Sequence, residues 1–404
     1  MFVVKALDNG VRVALDGSLG VRSVTVCVSL GAGAAHDAPD QSGLSHLVEH
    51  LVLEAPCDGD TPLAKWVDSV GGQSNASTSH EAVVFWARVP PEAAVECVRH
   101  LDRAVARPRI TDELCDSERS VVLQELLAAA ADPIDVARES FHGALFAGGP
   151  FARPVGGDVE NFPELPAEDV LRAHSRTLAA HPVDISLVGP PDLLAESFDV
   201  LTGGELARLE RTGAPALSDR AVAAPPLPAA DPDAEYAYLV AGGPGAGRST
   251  SQWAAAEVLA AAIGGTPGSV LYERLRGELG MGYQLQSFHT AYRDVGSWSV
   301  VVGAPPEHVP LVERTVHDCL DAVASGRLAG GHLDAAKRQA VGSVLLDNED
   351  PVALAHLDCA WLPLVGSGEP PVDAVRRLIA GVDHEDVRAA AARVLKGYTH
   401  VVAS

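Results

Sequence analysis

The sequence has 404 residues, 47% of them hydrophobic, which is enough for two or more domains with substantial cores. Its 54 acidic residues outnumber 30 Lys and Arg, and the net charge of −24 argues against binding to nucleic acid or anionic membranes, which need basic surfaces. The six cysteines form no C-x-x-C pair and are expected to be free, buried thiols. No signal-type start and no apolar run of about 18 residues is found, which predicts a cytoplasmic protein.

The first half of the sequence mixes strand and helix patterns. Strands are predicted at "VRVAL" and at "SVTVCVSLG", in which the valines share one face. From Leu44 no Gly or Pro occurs until Pro56, which predicts a helix capped by Ser42. The elements predicted after it are a helix at "LAKWVDSVGG", a strand pair at "QSNASTSHEAVVFWARVP", and helices over residues 91–105 and 111–131. Strict strand–helix–strand alternation is missing, so we expect an α+β fold of mainly antiparallel sheets covered by helices.

The second half repeats this order coarsely. Its predicted elements are a strand at "AEYAYLVAG", helices at "SQWAAAEVLAAAIGG" and "SVLYERLRGELG", strands at "YQLQSFHTAY" and "GSWSVVVGA", and helices from 307 and 333. We therefore expect two homologous halves, with an N-terminal domain over 1–210, a Pro- and Ala-rich linker over 211–233 and a C-terminal domain over 234–404. The run "GGPGAG" (242–247) lacks the spacing of phosphate-binding loops and is expected to be an ordinary loop.

The segment "HLVEH" carries three polar residues within the first predicted helix. His46, Glu49 and His50 fall on one stripe, while the rest of the circumference is apolar, as in a helix buried on most sides. Buried imidazoles and carboxylates need hydrogen bonds, ion pairs or a metal, and two His at i and i+4 converge as a zinc site requires. An HxxEH string arises by chance in roughly three of every hundred such sequences, so a second signal is needed.

The second signal lies in the helix "TDELCDSERSVVLQELLAAAAD". Glu118, Val121, Val122 and Glu125 follow the i, i+3, i+4, i+7 rule, which places two carboxylates on a face that also carries apolar residues. A catalytic zinc site typically has three protein ligands and one position for water. Glu125 would complete a His2Glu site and leave Glu49 free to act as a base.

These motifs resemble the signature of the inverted-zincin peptidases of family M16, which include pitrilysin, insulin-degrading enzyme and the mitochondrial processing peptidase. Nearly the whole chain takes part in the resemblance, because the segments that carry it fall in the expected order. They are "LDNGVRV", "GAGAAHDAPDQSGLSHLVEHLVLEAP", "GGQSNASTSHEAVVF", "ERSVVLQE", "DPIDVARESFHGALFAGGPFARPVGG" and "LRGELGMGYQLQSF". The pairing of HxxEH with the distal glutamates is the specific part.

The resemblance implies a role for each residue of the two motifs. In that family the two histidines and the second distal glutamate bind one Zn²⁺ per chain, which maps to His46, His50 and Glu125. The glutamate within the first motif is the general base, here Glu49, and Glu118 matches an auxiliary acid that supports the metal site.

The resemblance also implies residues that bind substrate. Arg276 and Tyr283 in "LRGELGMGY" match a pair that holds the substrate carbonyl region and stabilises the developing oxyanion, and Asn75 matches a residue of the edge strand to which an extended peptide adds. Other histidines have no metal-spaced partner and are expected to be ordinary polar or core residues; they include His80, His100, His142 and His289.

The expected function is zinc-dependent cleavage of peptides or unfolded segments, including peptide maturation or leader removal. In the family two homologous units close around a chamber, so we expect a homodimer with composite sites, or a heterodimer with a homologous subunit. One alternative is a non-catalytic core or partner subunit of such a heterodimer. Another is S-ribosylhomocysteine lyase, which shares an HxxEH helix but is disfavoured by its shorter length and its cysteine ligand.

Overall fold

The computed structural model describes residues 1–160, 162–213, 234–280, 284–328, 330–365 and 368–404. The strands in this part of the chain are β1 (Phe2–Ala6), β2 (Arg12–Asp16), β3 (Val24–Leu30), β4 (Pro56–Asp58), β5 (Thr61–Pro62), β6 (Gln73–Thr78), β7 (Val83–Val89), β8 (Val183–Val188), β9 (Ala237–Ala246), β10 (Gln284–Ala291), β11 (Val295–Ala304) and β12 (Thr399–Ala403). Most of the predicted linker, residues 214–233, lies outside the described residues.

The α-helices cover these strands. In chain order they are α1 (Leu44–Glu54), α2 (Leu63–Ser69), α3 (Ala94–Ala106), α4 (Asp112–Ala130), α5 (Pro133–Leu145), α6 (Ala167–Ala180), α7 (Pro191–Thr202), α8 (Trp253–Gly264), α9 (Val270–Tyr272), α10 (Val309–Ala324), α11 (Gly330–Asp347), α12 (Pro351–Val365), α13 (Pro371–Ala380) and α14 (His384–Lys396). The predicted helix "SVLYERLRGELG" is α9 followed by a π-helical turn over Glu273–Glu278.

The first sheet has the described strands in the order β1-β2-β8-β3-β7-β6. All neighbours are antiparallel except β2 and β8, which are parallel. Strand β3 is buried along its whole length because both faces of the sheet are covered. Val24, Val26 and Val28 face the main core with α1, as predicted, whereas the opposite face of β3 packs against α12.

The second sheet is antiparallel, with the described strands in the order β10-β11-β9-β12. The prediction that "GGPGAG" is a loop was wrong, because all of it except the last glycine is the second half of β9. Close packing explains these glycines. A Cβ at Gly242 would lie 2.0 Å from the Trp298 carbonyl oxygen, and one at Gly243 would lie 2.3 Å from the Val394 carbonyl oxygen. The glycine-rich sequence is typical of a turn, but here it forms a strand whose glycines allow neighbouring backbone to pack closely.

The chain forms two compact units, and neither is a continuous segment. The first contains residues 1–126, the described residues from 153 to 213, and 347–374 with helix α12. The second contains 127–152 with helix α5, the described residues from 234 to 346, and 375–404. Each unit thus includes a helix from the opposite half of the sequence. The division of the sequence at residues 210 and 234 stays a prediction.

The α+β architecture with helix-covered antiparallel sheets is confirmed. All six cysteines are buried and none forms a disulfide bond with another described residue, as expected. In the part of the chain that the structure describes, no helix combines the length and apolar character needed to cross a bilayer.

Candidate metal centre

Helix α1 presents a polar stripe to one side of an otherwise apolar helix. Its buried residues face the core of the first unit and are Leu44, Leu47, Val48, Leu51 and Val52. His46, Glu49 and His50 are only partly buried, and they lie together on the remaining face. Their spacing along the helix brings the two imidazole rings side by side, with ring centroids 5.0 Å apart. The predicted stripe of α1 is therefore formed.

Glu125 of α4 meets both imidazoles at one point. Its Oε2 atom lies 3.6 Å from Nε2 of His46 and 3.4 Å from Nε2 of His50. One ligand atom from each of the three residues lies within 4.8 Å of the others. Two atoms that each lie about 2.1 Å from zinc at the tetrahedral angle are about 3.4 Å apart, so these separations suit a shared ion.

The other ring nitrogen of each histidine faces a separate acceptor. Nδ1 of His50 lies 3.4 Å from Oε2 of Glu118, and Nδ1 of His46 lies 3.4 Å from the carbonyl oxygen of Gly156. An Nδ1–H that donates to such an acceptor fixes the tautomer in which Nε2 carries a lone pair. Both lone pairs then point toward Glu125. The donor set and its orientation fit a divalent metal of the zinc type.

The two glutamates of α4 differ in exposure. The side chain of Glu118 is 12% exposed, whereas that of Glu125 is 52% exposed. The two valines of this stripe also differ, because Val121 is 40% exposed whereas Val122 is fully buried. The stripe lies at the border of the packed face, so Glu118 approaches His50 from the buried side and Glu125 meets both rings from the open side.

Glu49 is held from the edge of the first sheet. Its Oε2 atom accepts a 2.6 Å hydrogen bond from the hydroxyl of Thr78 at the end of β6. Along β6, the side chains of Ser74, Ala76 and Thr78 alternate with those on the opposite face, which places Thr78 on the side of α1. The hydrogen bond from Thr78 occupies Oε2. Among the described residues, none is found to donate a hydrogen bond to Oε1 of Glu49.

The predicted N-cap of α1 was wrong. The N-cap residue is Gly43, with φ of 94°, and it has no side chain with which to cap. A Cβ there would lie 2.8 Å from the Gly156 carbonyl oxygen, so close packing excludes Ser or Thr. The acceptor comes instead from Asp37. Its carboxylate accepts hydrogen bonds from the backbone N–H of Gly43 at 3.1 Å and of Ser45 at 3.2 Å, and from the Ser45 hydroxyl at 2.6 Å.

Asp37 is itself buried and fixed. Burial raises its pKa to about 6, and the hydrogen bonds from Ser45 and Gly43 oppose that rise. Its carbonyl oxygen accepts a hydrogen bond from the guanidinium of Arg153, which is 4% exposed, and the Arg153 carbonyl oxygen lies 2.9 Å from Nε2 of His80. His80 thus contacts the backbone, consistent with an ordinary buried histidine.

The predicted substrate-binding residues each have contacts within their own unit, Asn75 in the first and Arg276 in the second. Asn75 is exposed on β6, an edge strand of the first sheet, and its Oδ1 atom accepts from the N–H of Ala76. Arg276 is exposed in the π-helical turn, where it donates a 2.5 Å hydrogen bond to the hydroxyl of Tyr272. Tyr283 lies outside the described residues. The roles of these three residues stay predictions.

Three contributors to the site carried no role in the sequence analysis: Asp37, Thr78 and Gly156. Thr78 could have been predicted from the sequence, because strand alternation along "SNAST" puts its side chain on the face toward α1. The segment "FARPVGG" was noted, but its carbonyl contact with His46 depends on backbone direction. Asp37 acts across six residues, a distance that no local capping rule covers.

Comparisons with known proteins agree with this fold and motif order. The sequence model described as "Insulinase (Peptidase family M16)" matches residues 12–159, and the one described as "Peptidase M16 inactive domain" matches residues 198–340. An uncharacterized zinc protease of Streptomyces coelicolor is 27% identical over 401 residues, covering 96% of this chain and 86% of the relative.

Two solved structures have the same architecture. A protease from Helicobacter pylori superposes with a TM-score of 0.83 at 16% identity, covering 100% of this chain and 99% of that one. A chain of complex III2 from Candida albicans superposes with a TM-score of 0.79 at 16% identity, covering 99% and 95%. The protein thus has the processing-peptidase-like class of α+β fold. The chain belongs to peptidase family M16.

Proposed function

We propose that the protein is a zinc-dependent endopeptidase that cleaves peptides or unfolded segments, with peptide maturation or leader removal among its roles. The observation that carries the proposal is the convergence of Nε2 of His46, Nε2 of His50 and Oε2 of Glu125 at separations that suit one tetrahedral ion. Relatives that are named zinc proteases support the choice of metal.

The residues around that point supply the parts of a peptide hydrolysis. His46, His50 and Glu125 would hold one Zn²⁺ per chain, which when bound polarises the scissile carbonyl and lowers the pKa of water. Glu49, held by Thr78 through Oε2, accepts the proton of the attacking water on its other carboxylate oxygen and passes it to the leaving amine. Glu118 keeps the ring of His50 oriented through Nδ1.

The edge of the first sheet supports recognition of an extended peptide. β6 has β7 on one side and no described strand on the other, so its outer edge is open to a further strand. Thr78 belongs to this strand and contacts Glu49, so a peptide paired with β6 would run past the proposed base. Asn75 on the same strand is the residue we expect to contact it. Recognition through the main chain favours unfolded substrates of varied sequence.

We propose a homodimer in which each site takes Arg276 and Tyr283 from the facing chain, or else a heterodimer with a homologous subunit. Arg276 is exposed, as a residue that contacts a substrate in another chain must be. A mixture of His50→Ala and Arg276→Ala chains, each nearly inactive, should recover activity through one intact composite site. Confirmed mixed dimers without recovered activity would contradict shared sites. A cytoplasmic location is also part of the proposal, and cell fractionation tests it.

The proposed reaction is tested with Glu49→Gln. The amide oxygen of Gln can still accept from Thr78, so the fold and the metal site are retained while the base is lost. Zinc content should stay near one per chain, and cleavage of a quenched peptide should fall about 10²-fold to 10⁴-fold. Retained cleavage would remove Glu49 from the role of base, and loss of zinc from this variant would show that Glu49 helps to hold the ion.

A second candidate is a non-catalytic subunit. It is favoured by the structural likeness to a chain of complex III2 and by the name of the family model that matches residues 198–340. The complete set of His46, His50, Glu125 and Glu49 counts against it. Metal analysis together with chelator-sensitive peptide cleavage by the purified protein separates the two functions, because a non-catalytic subunit would show neither.

A further inference from the structure

Helix α1 carries three of the proposed catalytic groups within its first two turns but has no cap of its own. A helix start leaves backbone N–H groups without intrahelical partners, and the residue before α1 is a glycine. The carboxylate of Asp37, six residues before Gly43, satisfies two of these N–H groups and the Ser45 hydroxyl as well. Three donors thus fix one buried carboxylate, and Ser45 directly precedes His46.

We propose that Asp37 is a positioning residue of the metal centre, which fixes the first turn of α1 and thereby the direction of His46 and Glu49. The inference rests on the proposed function and deepens it. Among the described residues, the hydrogen bonds of the Asp37 carboxylate go to Gly43 and Ser45 rather than to the proposed ligands or base, so it acts through these two residues.

The segment over residues 153–157 also contacts both Asp37 and His46. Arg153 bonds the carbonyl oxygen of Asp37, and three residues later the Gly156 carbonyl faces Nδ1 of His46. Gly157, with φ of 102°, allows this segment to lie against Gly43, where a Cβ at Gly157 would lie 2.8 Å from the Gly43 Cα. The same two segments, residues 37–45 and 153–157, therefore determine both the start of α1 and the rotation of the His46 ring.

The alignment is sensitive because the ligands belong to different elements. Glu125 is on α4, so a small shift or rotation of the first turn of α1 changes the distance from Nε2 of His46 to Oε2 of Glu125, which is 3.6 Å. A displacement of about 1 Å at a catalytic group can cost about 10²-fold in rate. A negative carboxylate at a helix N-terminus is also favoured by the helix dipole, which strengthens the anchor.

The experiment compares Asp37→Asn with Asp102→Asn. Asp102 is also a buried carboxylate that accepts two backbone N–H groups, from Glu205 at 2.7 Å and Leu206 at 3.0 Å, but its partners lie outside α1. In each variant an amide NH2 replaces one acceptor and faces a backbone donor, so both should lower the thermal midpoint. Zinc affinity is measured by chelator competition, coordination by the visible spectrum of the Co²⁺ form, and cleavage by kcat and KM.

Asp37→Asn should weaken zinc binding about tenfold, alter the Co²⁺ spectrum and lower kcat with KM nearly unchanged. Asp102→Asn should leave all of these at the wild-type values. A change in zinc affinity of less than about threefold in Asp37→Asn would overturn the proposal, since Asp37 would then serve stability alone.

Ser45→Ala keeps the test decisive if Asp37→Asn does not fold. It removes the 2.6 Å hydroxyl bond and leaves both backbone bonds in place. Zinc affinity should fall about threefold, and unchanged affinity would again overturn the proposal. If the wild-type protein binds no zinc at all, the proposed function fails, whereas a zinc-binding wild type with unaffected variants overturns only the role of Asp37.

Discussion

Helices α1 and α8 occupy similar places in the two units, yet of these two helices only α1 carries candidate metal ligands. Each helix packs against an edge strand of its sheet, α1 against β6 and α8 against β10. Each also carries a glutamate that contacts that strand. Glu49 accepts from Thr78 on β6, and Glu257 lies 2.9 Å from Nδ1 of His289 on β10.

The two helices differ in the contacts of the histidine ring nitrogens beside them. The side chain of His289 is 0% exposed, and its two nitrogens contact Glu257 and the carbonyl oxygen of Ala246, so the polar pair in α8 is satisfied within the unit. In α1 the Nδ1 atoms are engaged, but both Nε2 atoms point to one partly exposed carboxylate. A glutamate on a buried helix is thus common to both units, and the free imidazole nitrogens distinguish the candidate site.

Among the substitutions that test this contrast, removal of Glu125 should have the largest effect on zinc affinity and peptide cleavage. Glu125→Ala leaves two imidazoles without their common partner, so we expect zinc affinity to fall more than about 100-fold and peptide cleavage to be lost. Zinc analysis after dialysis and a peptide assay measure both. Glu113→Ala, an exposed change in the first turn of the same helix, is the matched control and should behave as wild type. Full zinc occupancy in Glu125→Ala would remove it from the ligand set.

Glu118 should have the next largest effect. Glu118→Gln keeps the size of the side chain but lowers the strength of the contact with Nδ1 of His50, because the acceptor loses its charge. We expect zinc binding about 10-fold to 100-fold weaker, measured by chelator competition. An unchanged zinc affinity would show that the orientation of His50 comes from helix packing alone.

Thr78 should affect rate and leave metal binding intact. Thr78→Val retains the shape but deletes the hydroxyl that bonds Glu49, so we expect kcat to fall about tenfold with zinc content unchanged. Thr78→Ser keeps the hydroxyl and should retain most of the activity. Equal rates for Val and Ser at this position would mean that Glu49 is oriented without the edge strand.

Glu257 should have no effect on the metal. Glu257→Ala leaves the buried Nδ1 of His289 without its acceptor, which should lower the free energy of unfolding by about 1–3 kcal/mol. Chemical denaturation measures the loss, and zinc affinity should equal that of the wild type. A metal defect in this variant would undermine the contrast between the helices.

Periodicity identified most of the elements around the site. The helix predicted from Leu44 is α1, which ends at Glu54, and the strand pair after Gly72 is β6 and β7. The pairing of His46 and His50 could be predicted because residues four apart on one helix lie on the same face. Glu125 could be proposed from its carboxylate stripe and from the need for a third ligand, and the resemblance supported that choice, but no local rule predicts that α4 lies next to α1.

Other features depend on tertiary contacts that the sequence does not display. The cap of α1 comes from Asp37 because Gly43 has no room for a side chain, which a capping rule based on neighbouring residues cannot detect. The glycines of β9 look like a turn but serve close backbone packing. Helices α5 and α12 each lie in the unit built mainly from the other half of the sequence, a pairing that no local pattern indicates.

Helix α12 lies in the first unit although it comes late in the sequence, and this affects how the chain folds during synthesis. The face of β3 that carries Thr25, Cys27 and Ser29 is covered by a helix that begins at Pro351. A growing chain would therefore leave that face uncovered until α12 has been synthesised, and such exposed sheet surfaces are prone to aggregation. The first half expressed by itself would lack α12 and leave this face of its sheet exposed, so we expect the first unit to become stable only after α12 is made.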